Sequence, residues 1–446
     1  MNHGKKKVFG VLLLIIGLLT SARAQETLDL NEFIQRALAS NQLLQVVAES
    51  IRGAEAKVTE NRSLYFPQVT LSASYTRLSL VSEFTLPFNG EMMTFKFVSP
   101  NNYSVKFGLA EQLFNWGRTQ KLVRLSQIGA ELAQDAVSMA RQAISYQLVP
   151  VFYGLIFIQD AAKVLDDNLD QFAAKLAIAK QRFQAGLASD FDISLIQVQI
   201  SALKAQQLEF QNTIERLMLA YNKVVGRDVR TPFAVDGRLE FQPLESNPDD
   251  LLREALANRI ELKQLAEQEK LTRTQIALAR TGDKPTLLAL LNYEFRNGYL
   301  PNVDQIRGSW SAVLSASYPI FDGFRTKAQV TQAKVGLETV LKQRIELEQQ
   351  ITLEINQNLA DLKTIASKLE IEKTKISHAE NALKIAEQRH QNGMLSTTDL
   401  IDTQNALESA RLNYLQLIYN HILGTYNLYK AVGRRIYQNN AIEVKS

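Results

Sequence analysis

Apolar side chains along this chain keep two different registers. Between 165 and 183 they recur alternately four and three apart, at Leu165, Leu169, Phe172, Leu176, Ala179 and Phe183. The alternation resumes at Ile193, Ile196, Ile200, Leu203, Gln207, Phe210, Ile214, Leu217, Tyr221 and Val224. A mean spacing near 3.5 residues predicts supercoiled helix pairs with interlocking side chains. Residues 43–65 hold no breaker but Gly53 and stop before Pro67; 118–184 holds only Pro150, an expected kink; 190–225 and 325–391 hold neither. At 1.5 Å per residue the two longest helices reach on the order of 100 Å. That is far beyond an ordinary globular helix.

Elsewhere the period falls to two, predicting strands at about 68–77, 103–113, 286–296 and 309–319, with loops at 77–102 and 297–308. Val69, Leu71, Ala73 and Tyr75 alternate with Thr70, Ser72, Ser74 and Thr76. Leu287, Ala289, Leu291, Tyr293 and Phe295, and later Trp310, Ala312, Leu314, Ala316 and Tyr318, repeat the pattern. Membrane-barrel strands of about 10 residues alternate this way between lipid and lumen. Half-buried strands of a soluble antiparallel sheet do so too. Four strands leave two open edges, which lipid does not tolerate. Other copies must then complete the sheet: a dimer would supply eight strands, a number whose interior side chains fill, and a trimer twelve, which leave a channel.

The chain also repeats itself. QRFQAGLASDFDISLIQVQ from 181 returns as QRHQNGMLSTTDLIDTQNA from 388, so that Arg182, Gly186 and Asp192 match Arg389, Gly393 and Asp399 at an offset of 207. Phe114 and Arg118 match Phe321 and Arg325, and Val225-Gly226 matches Val432-Gly433, at the same offset. Upstream, RALASN (36–41) resembles REALAN (253–258), and Pro67 pairs with Pro285 at 218. An internal duplication follows: a first repeat over 25–226, a linker or equatorial segment over 227–248, a second repeat over 249–433 and a tail over 434–446.

Composition narrows the setting. Lys5, Lys6 and Lys7, the run VFGVLLLIIGLL and Ala22-Arg23-Ala24 predict a Sec signal peptide over 1–24. Its four basic residues account for the formal charge of +4, so the remainder is neutral and offers nucleic acid no electrostatic footing. Cysteine is absent, so neither disulfides nor N-terminal acylation are available. No later stretch is unbroken and apolar over the roughly 18 residues of a membrane helix, and 148–158 contains Pro150. Beyond the signal only His378, His390 and His421 remain, without a P-loop or G-x-S-x-G. The expectation is no enzyme, no cofactor and no metal site.

Taken on their own, Gly186 and Gly393 suit helix reversals, Ser189 and Ser396 suit N-caps, and Asp192 and Asp399 suit a first turn. Capping leaves Arg182 and Arg389 unexplained. The duplicated strand–helix layout, Pro67 and Pro285, the LFNWGR and IFDGFR turns and the paired R-x-x-x-G-x-x-S-x-x-D turns together resemble the TolC-type outer membrane efflux channels, over about residues 28–436. The resemblance implies a mainly α chain with a small β part, forming a homotrimer. Four strands per chain would enter a shared 12-stranded barrel in outer-membrane lipid, and the helices would form an α-barrel in the periplasm. It implies export from an inner-membrane transporter through a periplasmic adaptor, in a tripartite efflux or type I secretion system. Adaptor docking would fall to Arg182, Gly186, Leu187, Ser189 and Asp192 in the first turn, and to Arg389, Gly393, Met394 and Ser396 in the second. Asp399 and Asp402, spaced i, i+3, match the aspartates of a periplasmic constriction; as a plain acidic pair at a helix start they would have no such role. The first repeat carries Leu195 where the second has Asp402, and His390 and Leu395 depart from the residues that lock the best-known gate. A non-conducting coiled-coil spacer or adhesin of the envelope is the competing reading.

Overall fold

The computed structural model describes residues 27–437 apart from Leu187 and Glu245. The expected signal peptide, Leu187 of the first turn and the last part of the tail lie outside them. In chain order the elements are β1 (Thr27–Leu28), α1 (Leu30–Ser40), α2 (Gln42–Ser63), β2 (Gln68–Arg77), β3 (Glu83–Phe88), β4 (Glu91–Lys96), β5 (Asn101–Phe114), α3 (Arg118–Gln184), α4 (Asp190–Val225), β6 (Ala234–Val235), α5 (Pro248–Asn258), α6 (Ile260–Ala279), β7 (Thr286–Arg296), β8 (Arg307–Ser317), α7 (Arg325–Gln391) and α8 (Thr397–Ala431). The chain divides into two compact units, one holding Ala48–Asp135 and Glu261–Glu346, the other the rest; every boundary falls inside a helix.

The first of these units contains an antiparallel sheet in the order β2-β5-β7-β8. Its register lines up Leu71, Phe107, Tyr293 and Trp310 in one row, with Val69, Leu109, Leu291 and Ala312 beside it. Because paired residues share a face, both rows lie on one face, apolar on all four strands at these positions, with Glu111 opposite Ala289 as its charged exception. It is also bare: Leu71 is 64% exposed and Trp310 72%. The opposite face carries Ser72, Lys106, Glu294 and Ser309 in one row, and the Ser104 hydroxyl donates to Glu294 at 2.7 Å. β5 shifts register between Gln112 and Phe114, and the Gln112 amide donates to the Phe114 and Leu287 carbonyls at 3.0 and 2.8 Å. This bulge at Leu113 pairs Phe114 with Leu287, on the apolar face.

Two expectations change here. The segment 77–102 is not all loop, because β3 and β4 form a hairpin of their own, Phe88 pairing with Glu91 across Asn89 (φ 52) and Gly90 (φ 87). Asn-Gly with both residues at positive φ is the type I′ hairpin turn. The last strand runs 307–317 instead of 309–319: Arg307 extends the ladder opposite Arg296, and Pro319 has no N–H to continue it.

In the other unit α3 runs through Pro150 as one helix. It also contains an 18-residue window with mean hydropathy 1.6, apolar enough by composition to cross a membrane. That differs from the expectation of no such stretch, and packing gives the reason, since Leu148, Val149, Phe152, Leu155 and Ile156 are buried. Phe33 of α1 stacks on Tyr221 of α4 at 3.7 Å and meets Phe152 edge-on at 5.3 Å. The 227–248 segment is packed, not slack: β6 pairs in parallel with β1, and Leu239 and Phe241 lie against the cluster of Leu369, Ile418 and Ile422. His421 is buried edge-on to Phe241 at 4.6 Å.

Each repeat ties the end of its last helix to the junction of its first two. Ser40 and Asn41 donate to the Val225 and Val224 carbonyls at 2.6 and 2.8 Å; in the second repeat Arg259 donates to Ala431 at 3.0 Å. Gly226 and Gly433 sit at φ 72 and 77 against these junctions. A Cβ on Gly433 would stand 2.9 Å from the Arg259 nitrogen. The repeated Val-Gly pair is therefore a close-packing and backbone requirement.

Candidate functional site

The two helical turns lie in the same unit as this core, and the long seams lead to them. Leu165, Phe172, Ala179, Ile196, Leu203 and Ile401 form one buried cluster, with Leu169, Leu176, Ile193, Ile200 and Phe210 packed on it. Leu383, Ala386, Leu400 and Leu407 form the corresponding cluster between α7 and α8. The four-three spacing thus becomes a seam along α3 and α4, extended by Ile401 of α8.

Both turns reverse on a left-handed glycine, Gly186 at φ 72 and Gly393 at φ 73. Gly186 donates to the Phe183 carbonyl at 3.0 Å and Gly393 to that of His390 at 3.0 Å, while Met394 donates to Arg389 at 2.9 Å. These bonds satisfy carbonyls that a helix end leaves open. Ser189 then caps α4 in a full capping box with Asp192: the Asp192 amide donates to the Ser189 hydroxyl oxygen at 3.2 Å, and the Ser189 amide donates back at 3.1 Å. Ser396 caps α8, accepting from the Asp399 amide at 3.1 Å and donating its hydroxyl to that carboxylate at 2.6 Å. His390 Nδ1 lies 3.0 Å from the Leu395 carbonyl, so the two residues that depart from the known gate bridge the second turn.

The structure brings the turns together and gives Arg182 a task. Its guanidinium donates to the carbonyl of Gln391, the last residue of α7, at 2.9 Å. The Thr397 hydroxyl donates to Asp192, and with Ser189 it holds that carboxyl below the usual carboxylate range. Asp399 and Asp402 are both exposed on α8, while Leu400, Ile401 and Gln404 turn inward. Met394 is 69% exposed and Arg389 also reaches solvent.

A polar cluster behind the turns escaped the sequence analysis. Asn168, Gln171 and Lys175 of α3 face Glu387 of α7 and Gln404 and Glu408 of α8. Gln404 donates to Asn168 at 2.5 Å and Gln171 at 2.9 Å; Asn168 donates to Glu408, and Lys175 donates to Gln404 and stands 3.6 Å from Glu387. Burial raises the Glu408 carboxyl, the Asn168 bond only partly opposing it, and burial lowers the Lys175 amine against the pull of Glu387. The signal was present in the spacing: 168, 171 and 175 form a polar stripe at helical period beside the apolar one. Among the described residues no group of acidic and histidine side chains is arranged to hold a metal ion.

Comparison with known proteins agrees in extent as well as in kind. The chain is 20% identical over 414 residues to the probable efflux pump outer membrane protein TtgC of Pseudomonas putida, covering 92% of this chain and 84% of that protein. It is 21% identical over 437 residues to the outer membrane protein TolC of Escherichia coli, covering 95% and 86%. Among solved structures, CusC superposes with a TM-score of 0.77 at 15% identity, covering 94% of this chain and 96% of that one. The CmeC outer membrane channel of Campylobacter jejuni superposes at 0.75 with 17% identity, covering 91% and 85%. Outer membrane efflux proteins as a family match residues 33–224 and 251–434, the two repeats with the packed 225–250 segment left between them. With both repeats matched and the duplicated turns in place, this chain is a member of the outer membrane efflux protein family.

Proposed function

We propose that three copies of the chain close one barrel of twelve strands in the outer membrane, continued by their helices as a periplasmic tunnel. Solutes would enter this tunnel from an inner-membrane transporter through a periplasmic adaptor and leave at the cell surface. One observation carries the reading. The apolar row Leu71, Phe107, Tyr293 and Trp310 is exposed across all four strands, on a sheet whose outer strands β2 and β8 pair on one side only. A soluble spacer or adhesin has no use for such a face, whereas lipid covers it and neighbouring copies pair the edges. The opposite face, with its serines and a few charges, suits a wet lumen. Relatives are named for efflux of toluene, antibiotics and solvents, which favours small organic molecules as cargo.

In this reading the residues of the two turns, Arg182, Gly186, Leu187, Ser189 and Asp192 with Arg389, Gly393, Met394 and Ser396, form the surface an adaptor grips. Asp399 and Asp402 become two rings of three carboxylates that favour cations at the constriction. Single-channel recording of the purified protein in a planar bilayer tests the proposal. Small, cation-selective openings are expected. A folded, inserted sample that never conducts would leave the spacer standing.

A further inference from the structure

The four turns that join the sheet to its helices gather charge on one end of the strands. The stretches 62–67, 115–121, 280–285 and 318–327 hold seven bases and two acids. At the far end, 77–102 and 296–307 hold four bases and three acids, so only the helix end is strongly positive. Both acids there have tasks: Asp283 stands 3.3 Å from Lys284, and Asp322 accepts the Thr326 amide at 2.8 Å at the start of α7. Glu60, just before the first stretch, is held by Lys57 at 2.7 Å. The duplication writes the arginines twice, Arg62 matching Arg280 at 218 and Arg118 matching Arg325 at 207.

Helix formation does not account for them. A helix start favours acids, yet α3 and α7 have none in their first turns and open instead on Arg118 and Arg325, with Lys121 and Lys327 close behind. Their position offers another reason. Lys121 donates to the Trp116 carbonyl at 2.8 Å, and Arg118 reaches the Thr281 hydroxyl, next to Arg280, at 3.5 Å. Phe324, Arg325, Lys327 and Ala328 line one open groove. In each repeat an exposed ring at the end of the apolar face is thus followed directly by cations, and all seven but Lys121 are exposed. Apolar strand, ring and cation in that order match acyl chain, interface and phosphate. Resting on the membrane-barrel reading above, we propose that these bases bind the phosphate headgroups of anionic glycerophospholipids in the periplasmic leaflet. The protein then collects a collar of acidic lipid around the base of its barrel. Free phosphate shares the headgroup chemistry but has no use for the rings.

The chain's two tryptophans report the two ends, Trp116 beside the belt and Trp310 toward the far end of β8. Full-length W310F and W116F proteins would be reconstituted in mixed vesicles in which either phosphatidylglycerol or phosphatidylcholine carries brominated chains. Quenching of the remaining tryptophan then measures which lipid sits beside it. Trp116 should favour phosphatidylglycerol by about threefold or more, a preference that high salt weakens, and Trp310 should favour neither lipid. R280Q/K284Q should cut the Trp116 preference by half or more, whereas R280K/K284R should keep it. K363Q/K368Q/K373Q, exposed later in α7, should leave it unchanged. Inorganic phosphate should displace the lipid no better than chloride at the same ionic strength; stronger displacement would overturn the lipid assignment. Equal quenching of Trp116 by both lipids, or one preference at both tryptophans, would overturn the belt and leave the barrel standing. No quenching of either tryptophan by either lipid would overturn the belt and the membrane reading together.

Discussion

Glu408 holds a carboxylate where water reaches it poorly, with Asn168 as its donor. Its folded pKa lies above the unfolded one, so the charged form costs stability at neutral pH. That cost vanishes as pH falls through the raised value and is gone by the ordinary range near 4.5. Glu408→Gln keeps an acceptor for Asn168 and should raise the melting temperature at pH 7–8 by about 1–3 °C, with no gain near pH 4.5. Identical wild-type and variant melting curves across that range would show that the carboxylate is well solvated. His421 has the opposite sense: burial lowers its pKa, so its contribution is complete above the unfolded value of 6.5 and is lost as pH falls below it. His421→Leu should flatten the acid limb of the melting profile between pH 7 and 5. The paired glycines rank in advance. Gly226→Ala and Gly433→Ala both place a side chain at positive φ, but only the second drives a Cβ to 2.9 Å from backbone atoms. Denaturant titration should find a loss of about 1–2 kcal/mol for Gly226→Ala and a larger one for Gly433→Ala.

At the scale of elements, the turns from strand to long helix are the least expected local structures. Both central residues have positive φ in each, Trp116 and Gly117 before α3, Gly323 and Phe324 before α7. A bulky residue in that region is strained. Each ring nevertheless stays exposed, edge-on to a neighbour: Trp116 to Phe114 at 5.3 Å, Phe324 to Phe321 at 5.4 Å. Phe114 belongs to the apolar sheet face, so these rings extend it toward the helices, where aromatic side chains of membrane barrels meet the headgroups. Trp116→Gly relieves the strain and should leave detergent stability equal or up to about 1 kcal/mol higher, while weakening retention in floated lipid vesicles. Unchanged retention would show that the ring serves the turn and not the bilayer. The β3–β4 hairpin teaches a different lesson. Asn89-Gly90 is a hairpin-turn signal, but its flanks, with Pro87, Met92 and Met93, alternate weakly, and only the pairing of Phe88 with Glu91 and of the positions before it shows two strands.

At the scale of the whole molecule the two rings of carboxylates are the sharpest expectation. D399A/D402A should lower cation over anion selectivity by roughly fivefold or more, since each ring would concentrate counter-ions in a narrow passage. Reversal potentials in asymmetric salt measure this. Selectivity equal to wild type would return the pair to an ordinary helix start.

What the sequence determined by itself was local or periodic. Four-three spacing marked α3 and α4, freedom from breakers marked α7, two-residue alternation marked the strands, and the 207 offset showed that Gly186 and Gly393, or Ser189 and Ser396, play one part twice. Such signals survive in one dimension because a helix or strand turns each residue toward a face fixed by its own geometry. The turn caps were legible for the same reason, each bond joining residues three to five apart. The partners across helices were decided only by the tertiary structure. Nothing near Arg182 in the chain points to Gln391, and nothing near Asn168 points to Gln404 and Glu408. Neither the bulge at Leu113 nor the pairing of β1 with β6 has a local signature. These contacts depend on which helix faces and which register pack together, a choice made by burying apolar area over the whole unit, with the polar side chains satisfied where that packing leaves them.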